Sequence, residues 1–135
     1  MNRTSRIFRL CLIALCVLLA AAAFVSCKKE TQKGAKTITV DIVTPDGDST
    51  KTTTVTIHTD AEYLRGALDQ EKLIEGTESE YGIYIKTVNG ITANEDNQEW
   101  WCITKGGETL FTGADTTPIA DGDHYELTLT VGYDF

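Results

Sequence analysis

The sequence predicts an α+β domain: a mixed sheet of four to six strands with one helix packed across a face, after an N-terminal signal segment. Three observations lead there. Apolar residues alternate at period two in several separate stretches between residues 37 and 131, the pattern of half-buried strands. A single stretch, residues 61–68, changes to helical spacing. Clusters of Gly, Pro, Asn and Asp punctuate the stretches as turns.

The N-terminal segment is read first. Arg3, Arg6 and Arg9 precede the uncharged, proline-free run Leu10 to Val25. Such a run is short for a membrane span and slightly long for the apolar region of a signal peptide. Its exit is Phe24-Val25-Ser26-Cys27, then Lys28 and Lys29. This resembles the bacterial lipoprotein signal, in which a small residue precedes an invariant Cys. Phe24 stands where that signal usually has Leu. The resemblance implies cleavage before Cys27, lipidation of Cys27 and an extracytoplasmic protein anchored to the cell membrane. Cys11 and Cys16 follow bulky leucines inside the apolar run and fit worse. The alternative is an uncleaved anchor helix with Cys27 incidental, which also leaves the rest outside the cytoplasm. The expected organisation is a signal peptide over 1–26, a flexible tether over 27–36 and one domain over 37–135. The polar tether from Lys28 to Lys36 reaches at most roughly 30 Å when extended.

The chain carries a formal net charge of −8, and losing Arg3, Arg6 and Arg9 with the signal takes it to −11. An acidic surface without a basic stripe argues against nucleic acid as a partner. Of the four cysteines, Cys102 alone remains after cleavage and acylation, so no intrachain disulfide can form and stability must come from the core.

The elements follow in order. Ile38, Val40 and Ile42 share one face of a strand over Thr37–Val43. Thr44-Pro45-Asp46-Gly47-Asp48 is turn chemistry. A second strand, Thr52–His58, turns Val55 and Ile57 inward and completes a hairpin. Thr59 and Glu62 have capping-box spacing before Ala61, Leu64, Ala67 and Leu68, which predict an amphipathic helix of about three turns. Gly66 costs that helix about 1 kcal/mol relative to Ala, unless a close neighbour needs the missing side chain. Leu73 and Ile74 lead to Gly76 as an exit loop touching the core. Tyr81–Val88 is the third strand, with Tyr81, Ile83 and Ile85 on one face and Tyr84, Lys86 and Val88 on the other. Asn89-Gly90 closes it as a turn. Ile91–Gln98 is an acidic loop, Glu99–Thr104 a strand, and Lys105-Gly106-Gly107-Glu108 a tight turn. Leu110-Phe111 is a short return strand. The loop Gly113–Ile119 and the turn Asp121-Gly122-Asp123 precede a last strand, His124–Val131, with Tyr125, Leu127, Leu129 and Val131 inward. Two strands, a helix, then three or four strands, with the helix across a mixed sheet, is the β-grasp arrangement.

Residues able to carry chemistry are few. His58 and His124 have no partner at metal-ligand spacing and sit at outward strand positions. Asp121-Gly122-Asp123 and Asp46-Gly47-Asp48 lack EF-hand spacing and read as turns. Cys102 lies mid-strand among aromatics, where a thiol behaves as a small hydrophobe. No phosphate loop, dinucleotide fingerprint or nucleophile elbow occurs, so a binding protein is expected rather than an enzyme, with no metal and no cofactor. The adjacent Trp100 and Trp101 must point to opposite faces of their strand. Trp101 shares a face with Ile103 and is expected in the core. Trp100 then points outward, where Tyr84 is expected beside it as an aromatic ligand platform. The alternative is that the 91–98 loop covers Trp100.

Tyr81-Gly82-Ile83-Tyr84-Ile85, Val88-Asn89-Gly90-Ile91, Trp100-Trp101, Phe111-Thr112-Gly113 and Ile119-Ala120-Asp121-Gly122-Asp123 occur in an order that resembles a known group. These are bacterial surface domains similar to the C-terminal β-domain of transcobalamin and intrinsic factor, in the soluble-ligand-binding branch of the β-grasp folds. Leu64-Arg65-Gly66-Ala67-Leu68 resembles the helix of that group, and the likeness spans residues 36 to 133. It implies a soluble ligand, with a corrinoid such as cobalamin as the candidate. Animal members hold cobalamin between this domain and a helical barrel, so a partner chain would supply the other half of such a site. A protein-interaction or adhesion module, pairing through a sheet edge, is the alternative from another class.

Overall fold

Alternation builds the first hairpin as expected. In the computed structural model, which describes residues 33–134, β1 (Lys36–Asp46) pairs antiparallel with β2 (Ser49–Thr59). Ile38 faces Ile57 and Val40 faces Val55, and Ile38, Val40, Ile42 and Ile57 are buried. The pairing runs past the apolar alternation to Asp46 and Ser49, leaving only Gly47 and Asp48 as the turn. β-branched threonines sustain these outer rungs without burial. The expected signal peptide, with Cys11 and Cys16, lies outside the described residues, as do Cys27, the expected lipidation site, and most of the expected tether.

The helix α1 (Leu64–Gln70) is shorter than its spacing suggests. It buries Leu64, Ala67 and Leu68. The capping box does not form. Thr59 is held in β2 opposite Lys36, and its hydroxyl accepts instead from the Ala61 N–H at 3.0 Å. Tyr63 occupies the cap position with no side-chain bond. A tertiary bond takes over, as the Leu64 N–H donates to the Thr117 carbonyl at 2.9 Å. Gly66 does have the close neighbour its cost requires: a Cβ there would lie 3.0 Å from that of Ala61.

Ile74–Ser79, expected as a loop, is β3, and it pairs antiparallel with β4 (Gly82–Val88). Glu75 to Ser79 are all exposed, so no alternation announces the strand. Across the pair, Glu75 faces Thr87 and Gly76 faces Ile85, which leaves Lys86 as an extra, bulged residue. The bulge brings Val88 to the same side as Ile85, and both are buried. Strict alternation had put Val88 on the outer face. Tyr81, expected on the strand face of Ile83 and Ile85, sits in the β3–β4 turn at 85% exposure. Asn89-Gly90 closes the hairpin to β5 (Ile91–Thr92), and a 3-10 turn over Glu95–Asn97 follows.

β6 (Glu99–Lys105) turns through Gly106 and Gly107, both left-handed at φ 57° and 85°, into β7 (Glu108–Thr109). The return strand therefore ends before Leu110 and Phe111. A second 3-10 turn (Ala114–Thr116) leads to β8 (His124–Val131). β8 pairs parallel with β1 and antiparallel with β6. Tyr125 and Leu127 are buried, whereas Val131, expected inward, is exposed at the end of the strand.

The described residues thus form a mixed α/β structure, mostly strands with one helix. A five-stranded mixed sheet runs in the order β2-β1-β8-β6-β7, and β3-β4-β5 forms a separate three-stranded sheet. One core joins them: Ile38, Val40 and Leu127 from the first sheet, Ile85 and Val88 from the second, and Leu64 and Leu68 from α1.

Candidate functional site

The tryptophan doublet separates as strand geometry requires. Trp101 is buried in the core at 6% exposure, with no acceptor for its Nε1–H among the described residues. Trp100 is half-buried on the other face. Its Nε1–H donates to the Gly132 carbonyl at 2.7 Å, so the polar edge of this indole fastens the segment that follows β8. Tyr84 is 47% exposed and turns away from Ile85 in the three-stranded sheet, while Trp100 turns away from Trp101 in the five-stranded one. The two rings therefore leave the common core from different sheets, not as neighbours on one.

Cys102 is half-buried, and burial pushes its thiol up, which disfavours the reactive thiolate. His58 Nδ1 lies 2.9 Å from the Thr37 hydroxyl, and His124 Nε2 lies 2.7 Å from Asp41 Oδ2. The Thr54 hydroxyl, with His124 behind it, holds Asp41 below its ordinary carboxyl value against the opposing effect of burial. Among the described residues no three His, Cys, Asp or Glu side chains are placed to hold a metal ion.

A more apolar concavity lies elsewhere. A cleft of about 450 Å³ opens between the end of β6 and the 110–120 segment. Leu110, Pro118, Ile119 and Ala120 give it an apolar wall, and Lys105 and Asp123 close its charged end. Lys105 Nζ sits 3.2 Å from Asp123 Oδ1 and 5.6 Å from the centre of the Tyr125 ring. The Tyr125 hydroxyl donates to Asp123 Oδ2 at 2.8 Å, and the Ala120 N–H donates to the same oxygen at 2.8 Å. Burial pushes the Asp123 carboxyl up, but the Ala120 N–H, the Tyr125 hydroxyl and Lys105 outweigh it and hold the group below its ordinary value. The Tyr125 phenol is driven well above its ordinary value by burial and by the Asp123 charge. The charged end is therefore set in advance: an anionic Asp123, a protonated Tyr125 and an ammonium over an aromatic face. Phe111, between the lining residues Leu110 and Thr112, is fully exposed at 100%. Hydroxyl bonds from Thr112 to Thr117 (2.7 Å) and from Thr117 to the Gly113 carbonyl (2.8 Å) brace its loop.

Sequence reasoning missed this cleft because it read Lys105 and Asp123 as turn residues and Phe111 as strand. The available signal was an apolar pair, Leu110-Phe111, directly after a closed turn, and a second apolar run, Pro118-Ile119-Ala120, outside any alternation. Two further concavities are polar: one of about 470 Å³ between Lys36, His58 and Gln70, and one of about 290 Å³ between Lys86 and Asn94–Asp96.

Comparison with known proteins places this geometry in a family. A domain of unknown function (DUF4430) matches residues 61–130. A solved structure from Ruminococcus gnavus, described provisionally as metal binding, is 48% identical over 73% of this chain and 99% of its own, with a TM-score of 0.67. The chain belongs to the DUF4430 family. The DUF4430 match begins after the β1–β2 hairpin and takes in α1, the three-stranded sheet and every residue lining the cleft. Haptocorrin, solved in complex with Cbi, is 23% identical over 74% of this chain and 26% of its own, with a TM-score of 0.49. None of the curated proteins matches this DUF4430 chain.

Proposed function

We propose that this DUF4430 protein is a lipid-anchored, extracytoplasmic, non-catalytic domain that binds a small soluble ligand in the cleft beside Lys105, Phe111 and Asp123. The observation that carries the reading is the cleft itself. It joins an apolar wall to a small, pre-set charged end, and Phe111, between the lining residues Leu110 and Thr112, is left unburied by the fold. Its volume of about 450 Å³ falls in the range of ligand sites, about 300–1,000 Å³. A ligand with an apolar body and one polar or anionic group fits this chemistry, the group meeting the Lys105 ammonium.

A corrinoid is the first ligand to test. Its support is the run of motifs from Tyr81-Gly82-Ile83 to Asp121-Gly122-Asp123, which resemble the transcobalamin-type β-grasp domain. Trp100 and Tyr84 stay as second-choice contacts. A metal ion, which the Ruminococcus gnavus relative's description suggests, is a weaker option, since the described residues hold no fitting ligand cluster.

Isothermal titration of the protein with cobalamin and with incomplete corrinoids tests the proposal. Phe111→Ala should weaken binding at least tenfold, about 1.4 kcal/mol. No heat up to about 1 mM ligand, with or without a barrel-domain partner, would sink the corrinoid version. Weakening by Trp100→Ala alone would move the site to the outer sheet face.

Anchoring rests on the Phe24-Val25-Ser26-Cys27 motif. Cys27→Ala should release the protein from the membrane fraction, and retention of that variant would argue for an uncleaved helix. The rival reading, a surface protein-interaction module, is favoured by one observation, the open edge of β2.

A further inference from the structure

Most polar groups that line the cleft are already committed within the fold. The Thr117 carbonyl accepts from the Leu64 N–H at 2.9 Å, and the Ala120 carbonyl from the Asp123 N–H at 3.1 Å. The Pro118 carbonyl accepts from the Tyr125 hydroxyl at 3.3 Å. The Thr112 and Thr117 hydroxyls bond each other, and Thr117 also donates to the Gly113 carbonyl. Asp123 is the one carboxylate in the lining among the described residues. It accepts from the Ala120 N–H, the Tyr125 hydroxyl and the Lys105 ammonium, which takes three of its roughly four acceptor positions. Lys105 differs. An ammonium has three donors, and Asp123 Oδ1, 3.2 Å away, uses one of them.

Depth gives this pair a direction. The Asp123 side chain is 13% exposed and the Lys105 side chain 44%. The pair is neutral as a whole, with its negative pole inside and its positive pole towards solvent. A charged group entering the cleft meets the ammonium first. The net charge of −8 opposes any anion, but charges beyond about 8 Å are largely screened at physiological ionic strength. Glu108, opposite Lys105 in the β6–β7 ladder, does not line the cleft.

We propose that Lys105 determines the specificity of this cleft: it selects an apolar molecule that ends in a carboxylate over the same molecule ending in an amide or an amine. The inference rests on the cleft being the ligand site. The apolar body lies along Leu110, Ile119 and Ala120, and the carboxylate accepts from the donors that Asp123 leaves open. Such a charge-assisted bond is roughly twice as strong as a bond between neutral groups, and a carboxylate, unlike an amide oxygen, also brings the charge that the ammonium faces. An amine brings like charge to the ammonium and finds the acceptors of the wall engaged. Asp123 is a positioning residue here, holding the ammonium at the mouth. Removing the ammonium reverses the preference, because Asp123 then keeps an unbalanced negative charge and the amine becomes the favoured form.

The test is a titration of the full chain in detergent, blanked against empty micelles, with phenylbutyrate, phenylbutanamide and phenylbutylamine, which share one apolar body. At about pH 7 the acid and the amine are both charged. Backbone NMR shifts at Leu110, Ile119 and Ala120 locate the binding and give the affinities. Wild type should bind phenylbutyrate at least tenfold tighter than either of the others. Lys105→Arg should keep that order. Lys105→Met should reverse it, with the amine at least tenfold tighter than the acid. Should Lys105→Met lose its native circular dichroism, Lys105→Gln reads the same reversal. Shifts in the cleft with equal affinities for the three probes overturn this inference and leave the cleft as the site. So does a Lys105→Met chain that keeps the wild-type order. No shift at these residues with any probe up to about 10 mM overturns the cleft itself and the inference with it.

Discussion

Phe111 is fully exposed although it carries one of the larger apolar surfaces in the chain. Nothing in the core depends on it, so Phe111→Ala should change unfolding stability by no more than about 0.5 kcal/mol while weakening ligand binding. Chemical denaturation beside titration separates the two effects. Gly76 is the opposite case. A Cβ built on it would stand 1.9 Å from the Tyr84 carbonyl oxygen, so the β3 and β4 backbones must part to admit any side chain. Gly76→Ala should cost about 1–3 kcal/mol, the usual range for overpacking, read as a lower denaturation midpoint. An unchanged midpoint would mean that the two backbones are not this close.

At the scale of elements, α1 is too short to hold itself, with seven residues against the dozen or so an isolated helix needs. Its buried leucines supply most of what holds it, and Arg65 supplies its orientation. The guanidinium bonds Asp69 on the same helix at 2.6 Å, Glu78 on β3, and Asp115 in the second 3-10 turn at 3.1 Å. The Glu78 bond, with Asp69 and Asp115 behind it, raises an already high guanidinium pKa against the opposing effect of burial. Asp115 in turn accepts from the Ile83 N–H at 2.9 Å, so one arginine links α1, β3, β4 and the loop below the cleft. A double-mutant cycle on Arg65→Ala and Asp115→Asn should give a coupling of about 1 kcal/mol, the upper end for partly exposed pairs. Arg65→Lys should not restore it, because a single ammonium cannot reach three carboxylates on separate elements. A coupling near zero would make the network incidental.

For the whole molecule, pH is the sensitive variable. Asp123 and Asp41 are both held below their ordinary values in the folded state. A carboxyl depressed by folding contributes stability that is present above its unfolded value, about 3.9. That stability is lost as pH falls through the lower folded value. Melting temperature should therefore drop steeply below about pH 4. Asp123→Asn should flatten that drop and leave a lower plateau near neutrality, because Lys105 loses its charge partner at the cleft. An identical slope in the variant would remove Asp123 from the linkage.

What the sequence by itself determined was local. The inward face of β1, the single helix around Leu64–Leu68, the turns at Asn89-Gly90 and Gly106-Gly107, and the division of Trp100 from Trp101 all follow from neighbouring side chains and their backbone preferences. What only the tertiary structure decided depends on residues far apart in the chain. β3 exists because β4 pairs with it, although its exposed residues carry no period. The Lys86 bulge moves Val88 into the core by adding one residue to the count, which strict alternation cannot anticipate. The split into two sheets puts Tyr84 and Trp100 on different sheets. The cleft forms because β8 returns Asp123 beside Lys105, and the β2 edge is open because the parallel β1–β8 pairing takes the other side of β1. Pairing across long separations sets each of these, and a side-chain period records only which face of a strand is buried, not which strand lies beside it.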